Sequence, residues 1–176
     1  MQVNFWTRPV DPADINVPRT IAESQTTVSR LMELLDSNAH GNVHGGIIMR
    51  LVDETAAVVA IRHARRPAVT ARIDHLDFLE PAFIGDLVTI KASLVYVGRT
   101  SMDIAVEVSA ETLRTGQIRQ ICSSQLVFVA LDENGKPTQV PPLKPTNEEE
   151  QLKINRAKMR RERYRQIEEE LKREYE

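Results

Sequence analysis

The sequence predicts an α+β domain in which an antiparallel sheet packs around one central helix. Three observations predict it. Residues 46–63 form a helix-period run that is apolar over most of its circumference. Four later segments alternate apolar and polar residues with period two. Short runs of turn residues join those segments, which implies antiparallel pairing and one layer of sheet against one helix.

The chain has 176 residues, enough for one domain with an appendage. Residues 1–24 are Pro-rich and mixed in polarity and read as an irregular arm. Thr26 to Leu34 carries a short strand, with Thr27, Val28, Leu31 and Met32 as its apolar content. Asp36 to Gly46 is a loop by composition, rich in Asn and Gly. Gly46 to His63 is the central helix. Ile47, Ile48, Leu51, Val52, Ala56, Val58, Val59 and Ile61 surround it, which predicts burial. Arg62, His63, Arg65 and Arg66 place cations at its C-terminal end, where the helix dipole favours them, and Pro67 stops it.

The strands follow. Ala68 to Phe78 sets Val69, Ala71 and Ile73 on one face. Asp86 to Val97 alternates Val88, Ile90, Ala92, Leu94 and Tyr96 against Thr89, Lys91 and Ser93. Ser101 to Thr112 repeats the pattern with Met102, Ile104, Val106 and Val108, and Gln117 to Leu131 ends in an apolar run. Pro81 with Gly85, Gly98-Arg99-Thr100 and Thr115-Gly116 mark the turns. A turn at 132–137 and a Pro-rich linker lead to residues 146–176, a charged helix with a thin apolar stripe. Its first turn is Glu148-Glu149-Glu150, and 148–176 hold nine acidic and nine basic residues. The chain thus divides into an arm (1–24), a domain (25–145) and a charged helix (146–176).

Composition excludes several classes. The net charge of −2 gives no basic field for nucleic acid, and the mixed charge of the last helix reads as self-compensated. Cys122 is the single cysteine, so no intrachain disulfide forms. The four histidines lack zinc-site spacing, and no metal or other cofactor is expected. The first residues do not read as a signal peptide, and no apolar run reaches the ~18 residues a membrane helix needs. The expectation is a soluble, cytoplasmic protein.

Chemistry concentrates in Asn38-Ala39-His40-Gly41-Asn42-Val43-His44-Gly45-Gly46 and in Asp53-Glu54 two turns later. Unpaired N–H groups at a helix start can hold a developing oxyanion, which singles out Gly45 and Gly46. Asp53, on an apolar helix, is the candidate base or nucleophile. Asn42 can orient water or a carbonyl, and His44 can line the pocket. Together these are the parts of an acyl-transfer site.

These residues resemble the hotdog-fold acyl-CoA thioesterases. The resemblance rests on His40-Gly41-Asn42-Val43-His44-Gly45-Gly46, on Met49-Arg50-Leu51-Val52-Asp53-Glu54, on Asp74-His75-Leu76-Asp77-Phe78-Leu79-Glu80-Pro81 and Gly85-Asp86, on Gly98-Arg99-Thr100-Ser101-Met102, and on 128–137. It covers Thr26 to Lys153 and looks nearest to the brain-type cytosolic acyl-CoA hydrolases and their bacterial single-domain relatives. It implies a curved five-stranded sheet around a central helix. It also implies homodimers with a continuous sheet, assembled as a trimer of dimers, a homohexamer. The implied reaction is hydrolysis of acyl-CoA to CoA and a carboxylic acid, with CoA entering as part of the substrate. The implied catalytic residues are Asp53 and, from the partner subunit, Asn42, with Gly46 and His44 beside them. The implied CoA contacts are Gly45, Arg99, Thr100 and Ser101. The alternative is a regulatory hotdog protein that binds acyl-CoA without turning it over. A dehydratase using His44 is a third reading.

Overall fold

The computed structural model describes residues 15–175; residues 1–14 of the arm lie outside it. A two-residue strand, β1 (Arg19–Thr20), leads into a single helical turn, α1 (Ile21–Ser24), and then β2 (Thr26–Leu31). A loop containing a 3-10 turn at Leu34–Asp36 precedes the central helix α2 (Gly45–Ala64). Four strands follow: β3 (Ala68–Phe78), β4 (Asp86–Val97), β5 (Ser101–Thr112) and β6 (Gln117–Ala130). A short strand β7 (Leu143–Lys144) pairs in parallel with β1, and helix α3 (Glu148–Tyr175) closes the chain. The main sheet is antiparallel throughout, in the order β2-β4-β5-β6-β3. This is the five-stranded sheet around one helix that the sequence predicts.

The period-two patterning works as expected in the three inner strands. Val88, Ile90, Ala92 and Leu94 of β4, Met102, Ile104, Val106 and Val108 of β5, and Leu126 and Phe128 of β6 are buried. They meet Ile48, Leu51, Val52, Ala56, Val59 and Ala60 of α2 in one cluster. Each fully buried large aliphatic side chain contributes about 1.5–3 kcal/mol of burial free energy. Ala56 and Ala60, with no side chain beyond Cβ, let the helix axis approach the sheet. The helix ends where Arg65 turns left-handed (φ 54°) and its N–H returns to the Ile61 carbonyl.

Two expectations are corrected. The central helix is not enclosed on every side: Met49 and Val58 are exposed. The shared face expected of Val69 and Ile73 is also broken: the register shift after Thr70 sets Val69 opposite Val129 and Ile73 opposite the core residue Leu126, and Val69, Ile73 and Phe78 are 46%, 42% and 53% exposed. The cause is topological. β3 is an edge strand, 11 residues long, and it packs beside this second face of α2. An apolar, unpaired edge of this length is a surface prepared for another strand.

α3 docks through polar contacts. Arg161 inserts beside the buried Asp103, donates to Ser101 Oγ at 2.7 Å, and lies over the Tyr96 ring at 5.4 Å. Arg72 lies over the Tyr164 ring at 5.5 Å. Along α3, Ala157 is buried and Glu150, Ile154 and Arg161 are half-buried; the remainder of the helix is exposed wherever its side chains are described.

Candidate active site

The loop before α2 is held from both ends. Asp36 is buried and accepts two bonds from Arg30 Nη2, at 2.8 and 3.0 Å, and one from the Glu33 N–H at 2.9 Å. Its carbonyl accepts the His44 N–H at 2.7 Å. Asn38 builds the turn at the tip: its Oδ1 accepts the N–H groups of His40 (2.8 Å) and Asn42 (3.2 Å). Gly41 closes that turn at φ 81°, a conformation glycine adopts without strain. Asn42 bridges to Phe83, and the Val43 N–H donates to the Ala82 carbonyl at 2.9 Å. The Phe83 segment is fixed in turn by Asp86, which accepts from Phe83 N, Thr112 and Arg119. This rigid setting leaves two amides without a partner among the described residues: Asn38 Nδ2 and the side chain of Asn42, both half-buried.

His44 caps α2. Its Nδ1 accepts the Gly46 N–H at 2.9 Å, so the neutral ring carries its proton on Nε2. The Gly46 N–H that the sequence reading assigned to an oxyanion is therefore engaged. The free donor is the Gly45 N–H, which has no acceptor among the described residues. Gly45 also lies under Phe78: an added Cβ would come 3.2 Å from its ring. A backbone donor at a helix start, on a residue with no side chain of its own, can take a polarised carbonyl oxygen.

Asp53 stands eight residues beyond Gly45, about 12 Å along the helix axis at 1.5 Å per residue. It is half-buried, and its Oδ1 accepts from Thr70 Oγ1 at 2.6 Å. Oδ2 has no partner among the described residues. Thr70 sits directly before a register shift in β3, where the pairing passes from Thr70 to Arg72 and leaves Ala71 unpaired. Such bulges re-aim the neighbouring side chains. The sequence reading missed Thr70. Nothing in its local pattern marks it, because its role depends on α2 lying beside the edge strand. Glu54, next to Asp53, points outward and pairs with Arg50 at 3.7 Å.

The third predicted group lies elsewhere. Asn42 pairs with Phe83, just before β4, whereas Arg99 follows the far end of β4. Twelve strand residues separate those ends by about 40 Å. Ser101 is buried and held by Arg161, and the Thr100 carbonyl accepts the Ala130 N–H. Arg99 is exposed and without an ion pair among the described residues, at the mouth of a cavity of about 280 Å³ lined by Tyr96, Val97, Gly98, Val140 and Leu143. Within one chain the loop, Asp53 and the Arg99 turn are three separate stations. Among the described residues no group of three or more His, Cys, Asp or Glu side chains could hold a metal ion, and no helix is long and apolar enough to cross a membrane.

Residues 40–117 match the family model described as the thioesterase superfamily. Over 142 residues the chain is 40% identical to a Bacillus subtilis protein described as an uncharacterized acyl-CoA thioester hydrolase, covering 81% of this chain and 83% of that one. Among solved structures it is similar to an acyl-CoA hydrolase from Staphylococcus aureus, seen in complex with butyryl coenzyme A and coenzyme A (TM-score 0.77, 34% identity, 89% of this chain and 97% of that one). It is also similar to a hexameric acyl-CoA thioesterase (TM-score 0.82, 36% identity, 86% and 97%). The staphylococcal protein has further been solved with alanine in place of an aspartate, an asparagine and a threonine. In that protein the asparagine lies fifteen residues before the aspartate and the threonine seventeen after it.

Proposed function

The chain belongs to the hotdog-fold thioesterase superfamily, and from that premise we propose that it hydrolyses acyl-CoA thioesters to free CoA and a carboxylic acid, at a site that two copies of the chain complete together. The observation that carries this reading is the Thr70–Asp53 contact, with one carboxylate oxygen held and the other free, more than two helical turns from the loop that bears the free amides and the Gly45 N–H. A thioester carbon cannot touch both stations of one chain. A second copy that pairs along the open β3 edge brings its own α2 alongside and closes the gap.

In this reading Asp53 Oδ2 takes a proton from water, whose oxygen attacks the thioester carbon, or attacks that carbon itself to give a mixed anhydride, which water then cleaves to the carboxylic acid and free Asp53. The carbonyl oxygen becomes an oxyanion, received by the Gly45 N–H of the other copy. Collapse breaks the carbon–sulfur bond, and the CoA thiolate takes up a proton. An asparagine of the loop holds the water or the carbonyl. Asn42 is the residue the sequence motif suggests. Asn38 and Thr70 stand at the same two separations from Asp53 as the residues replaced in the staphylococcal structures, which supports Asn38 for this role and Thr70 as the group that orients Asp53. His44 positions the helix start and keeps Gly46 engaged. Arg99 is left to meet a phosphate of CoA, with Thr100 and Ser101 shaping the turn that carries it.

The open β3 edge and the hexameric relative support a homodimer with a continuous sheet, assembled as a trimer of dimers. The single cysteine fits a cytoplasmic setting. The test is thiol release from acyl-CoAs of increasing chain length by the purified protein. Release dependent on Asp53 supports the reading. Tight acyl-CoA binding without release would replace it with the ligand-sensing alternative.

A further inference from the structure

α3 is 28 residues long, about 42 Å at 1.5 Å per residue. Glu150, Ile154, Ala157 and Arg161, spaced four, three and four, mark the side that meets the domain. Several charges elsewhere on the helix are paired along it: Glu149 with Lys153 at 2.7 Å, and Arg165 with Glu162 at 2.8 Å and with Glu169 at 3.7 Å. Another stripe is different. Arg156, Arg160, Arg163, Ile167 and Glu170 recur at four, three, four and three residues, so they share one face about 130° around the helix from the docked side. None of these four charged residues makes a hydrogen bond or ion pair among the described residues, and Ile167 is 51% exposed. The stripe is sorted by sign: arginine before Ile167, glutamate after it.

We propose that α3 pairs antiparallel with α3 of a second copy along this stripe. Ile167 then lies on the two-fold axis, and Arg163 of each copy falls beside the partner's Glu170. Antiparallel overlap of a stripe that is basic at one end and acidic at the other places opposite charges together twice. Parallel overlap would place like charges together. A second copy of this chain is therefore the occupant that charge complementarity selects. Exposed ion pairs are individually weak. The contact gains strength because each dimer carries two such helices: once one pair has joined two dimers, the pairs that close the assembly form at high effective concentration. It would join dimers rather than create them. The inference goes beyond the catalytic reading and depends on none of the Asp53 chemistry.

The test is the mass of the full chain by sedimentation at about 0.05 M salt, where exposed charges are little screened. Two variants are compared with the parent: Arg160→Glu with Arg163→Glu, and Glu170→Arg. In each variant alone, like charges face across the axis. The expected result is that the parent is larger than a dimer, and that each variant dissociates toward the dimer at protein concentrations at least ~10-fold higher than the parent does. An equimolar mixture of the two, in which opposite charges face again, regains the parental mass. Raising salt to about 0.5 M shrinks the parental assembly. Parental mass in both variants, a mixture that fails to recover, or an assembly indifferent to salt would each overturn the proposal. Circular dichroism confirms that the variants keep the helix. Thiol release is measured separately, so failure of the thioesterase reading would be seen on its own.

Discussion

Thr70 Oγ1, on the edge strand β3, donates a 2.6 Å hydrogen bond to Oδ1 of Asp53 on the central helix. One carboxylate oxygen is thereby fixed and the other left to react. Asp53→Asn should lower the rate of thiol release at least ~10²-fold, the scale of general-base loss, with little change in melting temperature. Thr70→Ala removes a bond to a charged group, about 1.5–3 kcal/mol, so kcat should fall by roughly one to two decades while KM changes little. Thr70→Ser keeps the donor and should recover most of the rate. Normal turnover in a folded Asp53→Asn protein would remove Asp53 from the mechanism.

Asn38 has two functions that a single substitution can separate. Its Oδ1 holds the N–H groups of His40 and Asn42, while its Nδ2 is free. Asn38→Asp keeps the acceptor that makes the turn and removes the free donor. Activity should drop at least ~10-fold with the melting temperature unchanged. Asn42→Asp, made in parallel, should cost less. The opposite ranking would return the role to Asn42.

The sheet was legible because its strands obey period two and its turns carry glycine and proline; the Asp86 and Ser101 strands begin where the alternation begins. Asp53 was legible as a carboxylate on an apolar helix. Thr70 was not, since its meaning comes from two register shifts in β3 and from the packing of α2 beside an edge. The engagement of the Gly46 N–H was equally hidden: whether a histidine lines a pocket or caps a helix depends on one rotamer. The exposure of Val69 and Ile73, and the bulge at Ala71 that sets them on opposite faces, are hidden too, because composition does not say which strand lies at the edge.

His63 is fully buried, with Nε2 bonded to the Pro141 carbonyl at 2.9 Å. Arg19 donates to its backbone carbonyl. Burial holds the imidazole below its usual pKa. The Pro141 bond and Glu23 push the other way, while Arg19 adds to the lowering. The unfolded chain therefore binds the proton first as pH falls. Stability from this group is complete above the ordinary histidine value of about 6.5 and declines below it. Calorimetry between pH 7.5 and 5 should show the melting temperature falling, and His63→Gln, which cannot titrate, should flatten that part of the slope. An unchanged slope would show that His63 does not control it.

Arg161 and Asp103 form the joint between α3 and the sheet. Burial pushes the Asp103 carboxyl above its usual range, and the Arg161 guanidinium opposes that push without cancelling it. Arg161→Ala leaves a buried carboxylate with its main counter-charge gone. Arg161 is 34% exposed, so the cost should fall at the low end for broken buried pairs, about 3 kcal/mol. The variant should also change its response to acid. A carboxyl whose folded pKa is raised favours the fold when protonated, and that stability is lost as pH rises through the folded value. Relative to the parent, Arg161→Ala should regain melting temperature as pH falls from 7.5 to 5. Taking the difference from the parent cancels the opposite trend from His63. Adding Asp103→Asn, which is neutral at every pH, should restore much of the lost stability and abolish the acid-dependent gain. If the double variant is no more stable than Arg161→Ala at pH 7.5, then lost packing of the arginine stem, and not the stranded carboxylate, sets the cost.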